Sequence, residues 1–255
     1  MQLAELARRT GVAGFVITDH DTLADDTLLK EAEKRFGLEI HGGIEISTEM
    51  RGRGLHLLGY GIDSGNGPLR DACRQLQEDR RRRWHSLVRA LRVMGIRLDE
   101  DRLARVHSLS TPGRLHLARE IVRARAAGSV RSAFAHYLTR MEVDAPKARI
   151  DLHLAVQLIH DAGGRAVLAH PPARLTRDDW TELVSAGIDG LETRYPGASR
   201  THQRFLEERV KEYSLLASAG SDYHGDDPRH SLGIPSVDEA TFRSLVGSRG
   251  THEVA

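Results

Sequence analysis

Short apolar runs alternate with helical stretches along much of this 255-residue chain, and a metal-capable side chain directly follows several of the runs. These side chains are His20 in GFVITDHDT, Glu45 in IHGGIEIST, His56 in GLHLLGYGID, His170 in RAVLAHP, and Asp222 and His224 in LLASAGSDYHG. In a barrel of strands and helices, the loops that follow the strands meet at one face. The pattern therefore predicts a barrel-type metalloenzyme whose site is assembled from distant segments.

Two stretches of the chain carry this alternation. The first predicts helix over 3–11, strand over 14–18, helix over 24–35, and strands over 38–46 and 55–62. The second predicts helices over 152–162, 180–186 and 201–213, with strands over 165–169, 188–193 and 215–219. Strands that alternate with helices indicate an α/β fold with a parallel sheet or barrel.

Between these stretches the strand signal disappears. Residues 69–106 are charged and helical, Ser110-Thr111-Pro112 opens another helix with proline in its first turn, and 129–138 is also helical. We therefore predict a barrel formed by 1–67 and 151–255, and an all-helical insertion over 68–150. The short tail after Gly233 is expected to pack as a cap.

Composition excludes several classes of protein. The formal net charge is +1, so no global field indicates a nucleic-acid or membrane binder. Cys73 is the single cysteine, which excludes an intramolecular disulfide and fits a reducing cytoplasm. It lies in a polar helical stretch, which argues against a catalytic thiol. No apolar run approaches the roughly 18 residues of a membrane span.

The donor types narrow the choice of metal. Imidazole mixed with carboxylate favours Zn²⁺, Mn²⁺ or Fe²⁺ over Mg²⁺ or Ca²⁺. His56 alone is a weak candidate, because a histidine at a strand end usually caps or hydrogen-bonds. His170 is stronger because Pro171 and Pro172 lock the chain behind it, and the spacing of Asp222 and His224 lets both point the same way.

Other histidines lie in helical or exposed contexts and are predicted to be structural or solvent-facing; they are His41, His85, His107, His136, His153, His160 and His202. Asp19 and Asp21 flank His20 and could orient it.

Two arginine-bearing features leave alternatives open. The run from Arg80 to Arg83 is either a solvated helix face beside Glu78 and Asp79 or a phosphate-binding surface. Arg114 and His116 open the second helix of the insertion, where helix N–H groups and a guanidinium could hold an anionic substrate. The alternative interpretation is an ordinary helix N-terminus with an exposed arginine.

Five motifs, ITDHDT, GIEIS, HLLGYGID, LAHP and GSDYHG, resemble in order and spacing those of the PHP (polymerase and histidinol phosphatase) superfamily. The greatest similarity is to its TrpH/YciV-type branch, which includes 5′→3′ exoribonucleases and 3′,5′-nucleotide bisphosphate phosphatases. The resemblance covers nearly the whole chain.

The resemblance implies a distorted (β/α)₇ TIM-like barrel with up to three divalent metal ions. It implies that water activated by the metal attacks phosphorus, with no covalent intermediate. The implied ligands are His20, Glu45, His56, His170, Asp222 and His224. The implied catalytic residues are His20, Glu45, His170 and Asp222, and Arg114 and His116 match positions that contact substrate. The resemblance also implies that the helical insertion over 68–150 covers the active site.

One family motif does not occur in this sequence. The motif is an Asp-Leu-His-x-His-Ser strand with a following Ser-Asp-Gly, and it would lie just before Met1. We expect an upstream start codon to encode this strand and its three ligands, because the other motifs are intact. A degenerate, inactive relative is the alternative.

These observations together predict a cytoplasmic metal-dependent phosphoesterase that hydrolyses nucleotide phosphates or short RNA from the 5′ end. The expected cofactors are Mn²⁺, Zn²⁺ or Fe²⁺, and neither a membrane nor a stable DNA partner is expected. A small-metabolite phosphatase of the histidinol-phosphatase type is one alternative. A non-catalytic relative that binds a nucleotide or a partner protein is another.

Overall fold

The computed structural model describes residues 1–108, 111–139, 141–145, 147–225 and 231–247. The chain divides into two compact units. The first contains the segments up to Arg70 and from Ile150 onward, and the second is Asp71–Arg149. That the second unit covers the active site stays a prediction.

The elements follow one another along both units. From the N-terminus they are α1 (Gln2–Arg9), β1 (Gly14–Ile17), α2 (Asp26–Phe36), β2 (Glu39–Gly42), β3 (Ile44–Met50), β4 (Arg53–Tyr60), α3 (Gly67–Val93), α4 (Glu100–His107), α5 (Arg114–Arg123) and α6 (Val130–Ala133). A π-helical turn (Phe134–Leu138) follows, and then β5 (Ile150–Asp151), α7 (Leu152–Asp161), β6 (Arg165–Leu168), α8 (Arg177–Ser185), β7 (Gly190–Arg194), α9 (Arg200–Glu212), β8 (Leu216–Ala219) and α10 (Glu239–Val246).

The described strands of the first unit form two sheets. β1 and β2 pair in parallel, and the larger sheet has the order β5-β3-β4-β6-β7-β8. β4 is antiparallel to β3 and to β6, whereas the other pairs are parallel. The prediction of a mixed α/β fold is confirmed, and the (β/α)₇ barrel stays a prediction.

One predicted strand, over 38–46, is divided into β2 and β3 at Gly43. A β-carbon at Gly43 would lie 2.7 Å from the carbonyl oxygen of Gly59 and 2.7 Å from Cγ1 of Val16. Glycine therefore permits the close approach of three chain segments at the point where the chain leaves one sheet for the other.

Local signals explain the helix ends. The Asp25 carboxylate accepts the backbone N–H groups of Thr27 and Leu28, and Gly37 ends α2 with a left-handed φ of 66°. Asp151 caps α7 in the same way, by accepting from His153 and Leu154.

The apolar side of the larger sheet is covered by helices. α7 packs against β3, β4 and β6, and it buries five side chains, Leu152, Ala155, Val156, Leu158 and Ile159. Leu245 of α10 packs with Leu58 and Val167 of the larger sheet and with Val16 of β1. The helix after Gly233 thus joins both sheets through one buried leucine.

The second unit has a separate apolar core. Its buried side chains include Trp84, Leu91, Leu103, Leu117 and Ile121. Gly95, with φ 79°, follows the end of α3, so the helical prediction over 69–106 is divided into α3 and α4. The predicted helix start at Ser110 lies outside the described residues, and α5 begins at Arg114. Among the described helices, none combines the length and apolar character needed to cross a bilayer.

Candidate metal centre

The carboxylate of Glu45 lies at the centre of three imidazoles. Its Oε1 atom is 2.7 Å from Nδ1 of His56 and 3.1 Å from Nε2 of His170, and its Oε2 atom is 3.4 Å from Nδ1 of His20. His56 and His170 also face each other, with Nδ1 and Nε2 separated by 3.2 Å. Four of the six predicted ligands therefore lie in one cluster.

Backbone pairing places two members of this cluster. His20 forms an isolated parallel bridge with Glu45, beyond the end of β1. The N–H of Glu45 donates to the carbonyl of Asp19 at 3.1 Å, and the N–H of Asp21 donates to the carbonyl of Glu45 at 2.9 Å. These bonds hold the segment after β1 against β3, so the two side chains meet although 25 residues separate them.

Asp222 and His224 reach the same cluster from the segment after β8. The imidazole of His224 stacks on that of His20, with ring centroids 5.9 Å apart, and its Nε2 atom is 2.9 Å from Oδ1 of Asp222. The structure therefore brings all six predicted ligands together. Their roles in binding metal stay predictions.

The electrostatics of the cluster favour a charged carboxylate. Burial alone would raise the pKa of Glu45, but the neighbouring His20, His170 and His56 outweigh it and hold that pKa well below its usual value. Burial would lower the pKa of His170, but the hydrogen bond and charge of Glu45, with further charge from Glu192, raise it to about 9. In the metal-free protein, His170 therefore holds a proton that a metal ion would have to displace.

Glu192 is a residue of this site that the sequence analysis missed. It lies in β7, is 4% exposed, and its Oε2 atom accepts the backbone N–H of His170 at 2.7 Å. Burial raises the pKa of its carboxyl group to about 8. The sequence signal for this glutamate is weak, because it lies within the predicted strand over 188–193 and Asp189 interrupts the apolar residues before it.

The turn after His170 is anchored from another direction. The carbonyl of Pro171 accepts hydrogen bonds from the hydroxyl of Tyr195 at 2.8 Å and from Nε2 of His202 at 2.9 Å. His202 was predicted to be structural or solvent-facing, and in the structure it holds the chain directly behind a candidate ligand.

Three residues of the site have backbone conformations that non-glycine residues rarely adopt. The φ angles are 51° at Asp21, 30° at His170 and 45° at Asp222. Such conformations persist where surrounding contacts impose them, and they are frequent at functional sites. At Asp21 the carboxylate is fully buried and accepts the N–H of Ser47 at 2.7 Å.

Asp19 lies beside the cluster, where burial and one neighbour raise the pKa of its carboxyl group and another neighbour lowers it. Burial raises the pKa of Asp19, the charge of His224 lowers it, and the charge of Glu45 raises it, so the net direction is upward. Asp19 was predicted to orient His20, and its electrostatic partners include His224 as well.

The donor set fits a divalent transition metal. Ligand atoms of His20, Glu45 and His56 all lie within 4.8 Å of one another, a spacing that one ion could bridge. Imidazole nitrogens combined with one ionised carboxylate suit Zn²⁺, Mn²⁺ or Fe²⁺.

Comparison with known proteins identifies the family. No family model matches the chain. A 5′-3′ exoribonuclease of Haemophilus influenzae is 30% identical over 229 residues, which are 88% of this chain and 83% of that protein. A phosphoribosyl 1,2-cyclic phosphate 1,2-diphosphodiesterase of Eggerthella lenta is 31% identical over 231 residues, 88% of this chain and 87% of that protein. The chain belongs to the PHP-type phosphoesterase family.

A solved structure supports the same assignment. A protein of Bifidobacterium adolescentis described as a metal-dependent phosphoesterase superposes with a TM-score of 0.86 at 28% identity, and the match covers 96% of this chain and 89% of that one. For a PHP-type phosphoesterase, a cluster of imidazoles around a buried carboxylate is therefore the first candidate for the active site.

The two residues predicted to bind substrate lie in the second unit. Arg114 is the first residue of α5, and its guanidinium carbon lies 6.0 Å from the centroid of the Phe134 ring. Nδ1 of His116 accepts the backbone N–H of Gly113 at 3.2 Å, so His116 caps the helix. Their contact with substrate stays a prediction.

Proposed function

We propose that this chain is a metal-dependent phosphoesterase that hydrolyses nucleotide phosphates or short RNA from the 5′ end. The observation that carries the proposal is the buried carboxylate of Glu45, which contacts His20, His56 and His170 together. The names of its relatives support the substrate class, since they include 5′-3′ exoribonucleases and a 3′,5′-nucleoside bisphosphate phosphatase of Chromobacterium violaceum.

The metal-binding residues in this proposal are the six that the sequence predicts as ligands, His20, Glu45, His56, His170, Asp222 and His224. The complete family site would hold up to three ions of Mn²⁺, Zn²⁺ or Fe²⁺. Bound divalent ions polarise a phosphoryl oxygen and make a water molecule acidic enough to act as a nucleophile near neutral pH.

The chain's own residues prepare this site in three ways. Glu45 stays ionised at neutral pH because its pKa is held low, so it offers an anionic oxygen donor. His170 gives up its proton on metal binding, and Glu192 fixes the backbone that carries it. Asp222 and His20 complete the proposed catalytic set with Glu45 and His170.

In this proposal Arg114 and His116 contact the substrate. A guanidinium group can donate two parallel hydrogen bonds to one phosphate, which suits a substrate that has a second phosphate besides the one removed. The nucleotide would be held by the helical insertion over 68–150.

The finer features of the fold are also part of the proposal. A distorted (β/α)₇ barrel is supported by the bridge between His20 and Glu45, which links the segment after β1 to the larger sheet.

The experiment is release of phosphate from 3′-phosphoadenosine 5′-phosphate, and of mononucleotides from 5′-phosphorylated RNA, in Mn²⁺. It compares the unmodified chain with His170→Gln, which is expected to be inactive. His153→Gln is the matched control, because His153 is a half-exposed histidine that pairs with Glu182. Absence of hydrolysis by the unmodified chain, or full activity in His170→Gln, rejects the proposal.

A second candidate is a phosphatase or phosphodiesterase of small metabolites. It is favoured by the Eggerthella lenta relative, whose name describes a phosphoribosyl cyclic phosphate substrate. A substrate panel that contains sugar phosphates beside nucleotides separates the two, since the preferred substrate has the higher kcat/KM.

A further inference from the structure

Two histidines of the helical unit meet at its surface, and neither belongs to the candidate metal centre. His85 lies in α3 and His107 is the last residue of α4, and their Nε2 atoms are 3.0 Å apart. The ring centroids are separated by 4.6 Å, and the ring planes are inclined by 49°. Both residues were predicted to be structural or solvent-facing. His85 is exposed and His107 is half-buried, so solvent reaches the pair.

The packing of the two helices brings these side chains together. Arg92 of α3 pairs with Glu100 of α4 at 2.5 Å. Each of these residues lies seven positions, or about two helical turns, from the histidine of its own helix. The two helices therefore run antiparallel, with His85 opposite His107. Both helices also contribute buried side chains to the same apolar core, so the approach of the imidazoles does not depend on their own contact.

The separation of the two Nε2 atoms fits two ligands of one metal ion. Imidazole nitrogens lie about 2.0–2.1 Å from a bound divalent ion. At that bond length, a separation of 3.0 Å corresponds to an N–metal–N angle of about 95°. A tetrahedral site, with an angle of about 109°, would need a separation of about 3.3–3.4 Å. The pair therefore matches neighbouring corners of a square-planar or tetragonal site, the geometry that Cu²⁺ and Ni²⁺ prefer.

The surroundings leave these imidazoles available to a cation. Partial burial, His107 and the charge of Arg89 together lower the pKa of His85, so its ring is neutral at pH 7. His107 lies at the carbonyl end of α4, where the helix dipole favours positive charge. The charge of Arg89 acts against a metal ion, but Arg89 is exposed and solvent screens it.

The geometry points to a second metal site, in which His85 and His107 bind one Cu²⁺ or Ni²⁺ ion through their Nε2 atoms. Water molecules complete the coordination of the ion. A bound ion ties α3 to α4, because each helix supplies one ligand. The site requires neither phosphoesterase activity nor the ions that support it.

The test is calorimetric titration of the full, metal-free chain with Cu²⁺. The candidate metal centre can also take up Cu²⁺, so the result is the difference between variants. His85→Gln and His107→Gln should each lose one equivalent of bound Cu²⁺, or bind that equivalent at least tenfold more weakly than the unmodified chain. The difference between the electron paramagnetic resonance spectra of the unmodified chain and each variant should be that of a tetragonal Cu²⁺ ion with nitrogen ligands.

The matched control is His136→Gln, which removes an exposed histidine of the same unit. We expect it to bind as many equivalents as the unmodified chain, with an affinity changed by less than twofold. Equal binding in all the variants would show that His85 and His107 only form a hydrogen bond to each other. A loss in His136→Gln as large as that in His85→Gln would show nonspecific binding to surface histidines. Either result overturns the proposal, and circular dichroism checks that each variant is folded.

The charge of Arg89 provides a test of the opposite sign. Arg89→Gln removes a positive charge that acts on His85, so it should strengthen the binding of this Cu²⁺ equivalent by about two- to fivefold. Weaker binding in Arg89→Gln would contradict the placement of the ion beside this arginine. These measurements follow metal binding alone, so a failure of the hydrolysis test would leave the inference standing.

Discussion

The carboxylate of Glu192 accepts the backbone N–H of His170 at 2.7 Å, so a side chain of β7 fixes the segment that follows β6. β6 and β7 are parallel neighbours, which places the ends of both strands at the same edge of the sheet. The carboxylate of Glu192 thereby fixes the backbone of a candidate ligand, His170, whose φ of 30° lies in the left-handed region.

Removal of this support should weaken metal binding. We expect Glu192→Ala to raise the dissociation constant for Mn²⁺ by 10- to 100-fold, the range found when an outer-sphere partner of a metal ligand is lost. Glu192→Gln should lose less, because its amide oxygen can still accept the N–H of His170. The half-exposed Glu182 supplies the control variant, Glu182→Gln. Calorimetric titration gives the affinities, and unchanged binding in Glu192→Ala would contradict this positioning role.

Metal affinity should depend strongly on pH. The pKa of His170 is about 9 in the metal-free protein, so below that pH a metal ion must displace a proton from its imidazole. Apparent affinity should rise about tenfold per pH unit from pH 6.5 to 8.5. Glu45 adds no slope there because its pKa is already low. Titration at three pH values measures the effect, and a flat profile would show that His170 binds no metal.

The stability of the metal-free chain should change with pH in the opposite sense. The pKa of His170 is raised by folding, so the stability it contributes is complete below about pH 6.5 and is lost as the pH rises to about 9. One third of the His170 side chain is exposed, and solvent screens its interactions, so the expected loss of unfolding free energy is on the order of 2 kcal/mol. The raised pKa of Glu192 acts in the same direction between about pH 4.5 and 8.

Urea unfolding of the metal-free chain at pH 6, 7.5 and 9 tests this expectation. His170→Gln should show a shallower decline, because only the contribution of Glu192 remains. A free energy of unfolding that rises across this interval would contradict the assigned directions.

Gly220 should tolerate no side chain. A β-carbon there would lie 2.4 Å from Oε1 of Glu192, far inside van der Waals contact. Gly220→Ala should therefore cost about 1–3 kcal/mol of unfolding free energy and weaken metal binding by displacing Glu192. Gly67→Ala is the control, because nothing lies within 4 Å of its added carbon, and its unfolding free energy should change by less than about 1 kcal/mol. Equal midpoints of thermal unfolding in both variants would contradict the expectation.

The sequence was informative about the site because polar residues next to short apolar runs were selected as ligand candidates. The structure places the six candidates near one another, including His20 and His224, which lie more than two hundred positions apart yet stack in the fold. Two of the candidates, Glu45 and His56, lie within strands and not after them. Glu192 was missed because it lies inside β7 and Asp189 interrupts the apolar run before it. The individual distances could not be predicted, because they depend on the tertiary packing of several strands.

The exact boundaries of strands could not be predicted from the pattern of apolar residues. The break between β2 and β3 at Gly43 arises where the chain passes close to Val16 and Gly59. Only folding brings these residues together, so the apolar pattern over 38–46 predicted one continuous strand. The two-residue strand β5 has too little sequence to give any periodic signal. Residues 71–149 carry a formal net charge of +9 and the rest of the chain carries −8, a separation that could be read from the sequence although the total of +1 concealed it.

The left-handed backbone at Asp21, His170 and Asp222 has a consequence for any attempt to make this protein more robust. Glycine would relax the main chain at each of the three positions, so a selection for heat resistance alone would be drawn toward them. Each substitution by glycine would remove a candidate metal ligand, or a side chain that holds the cluster in place. Stabilising substitutions placed elsewhere, for example in the helical unit, could raise the thermal stability of the protein without removing a residue of the cluster.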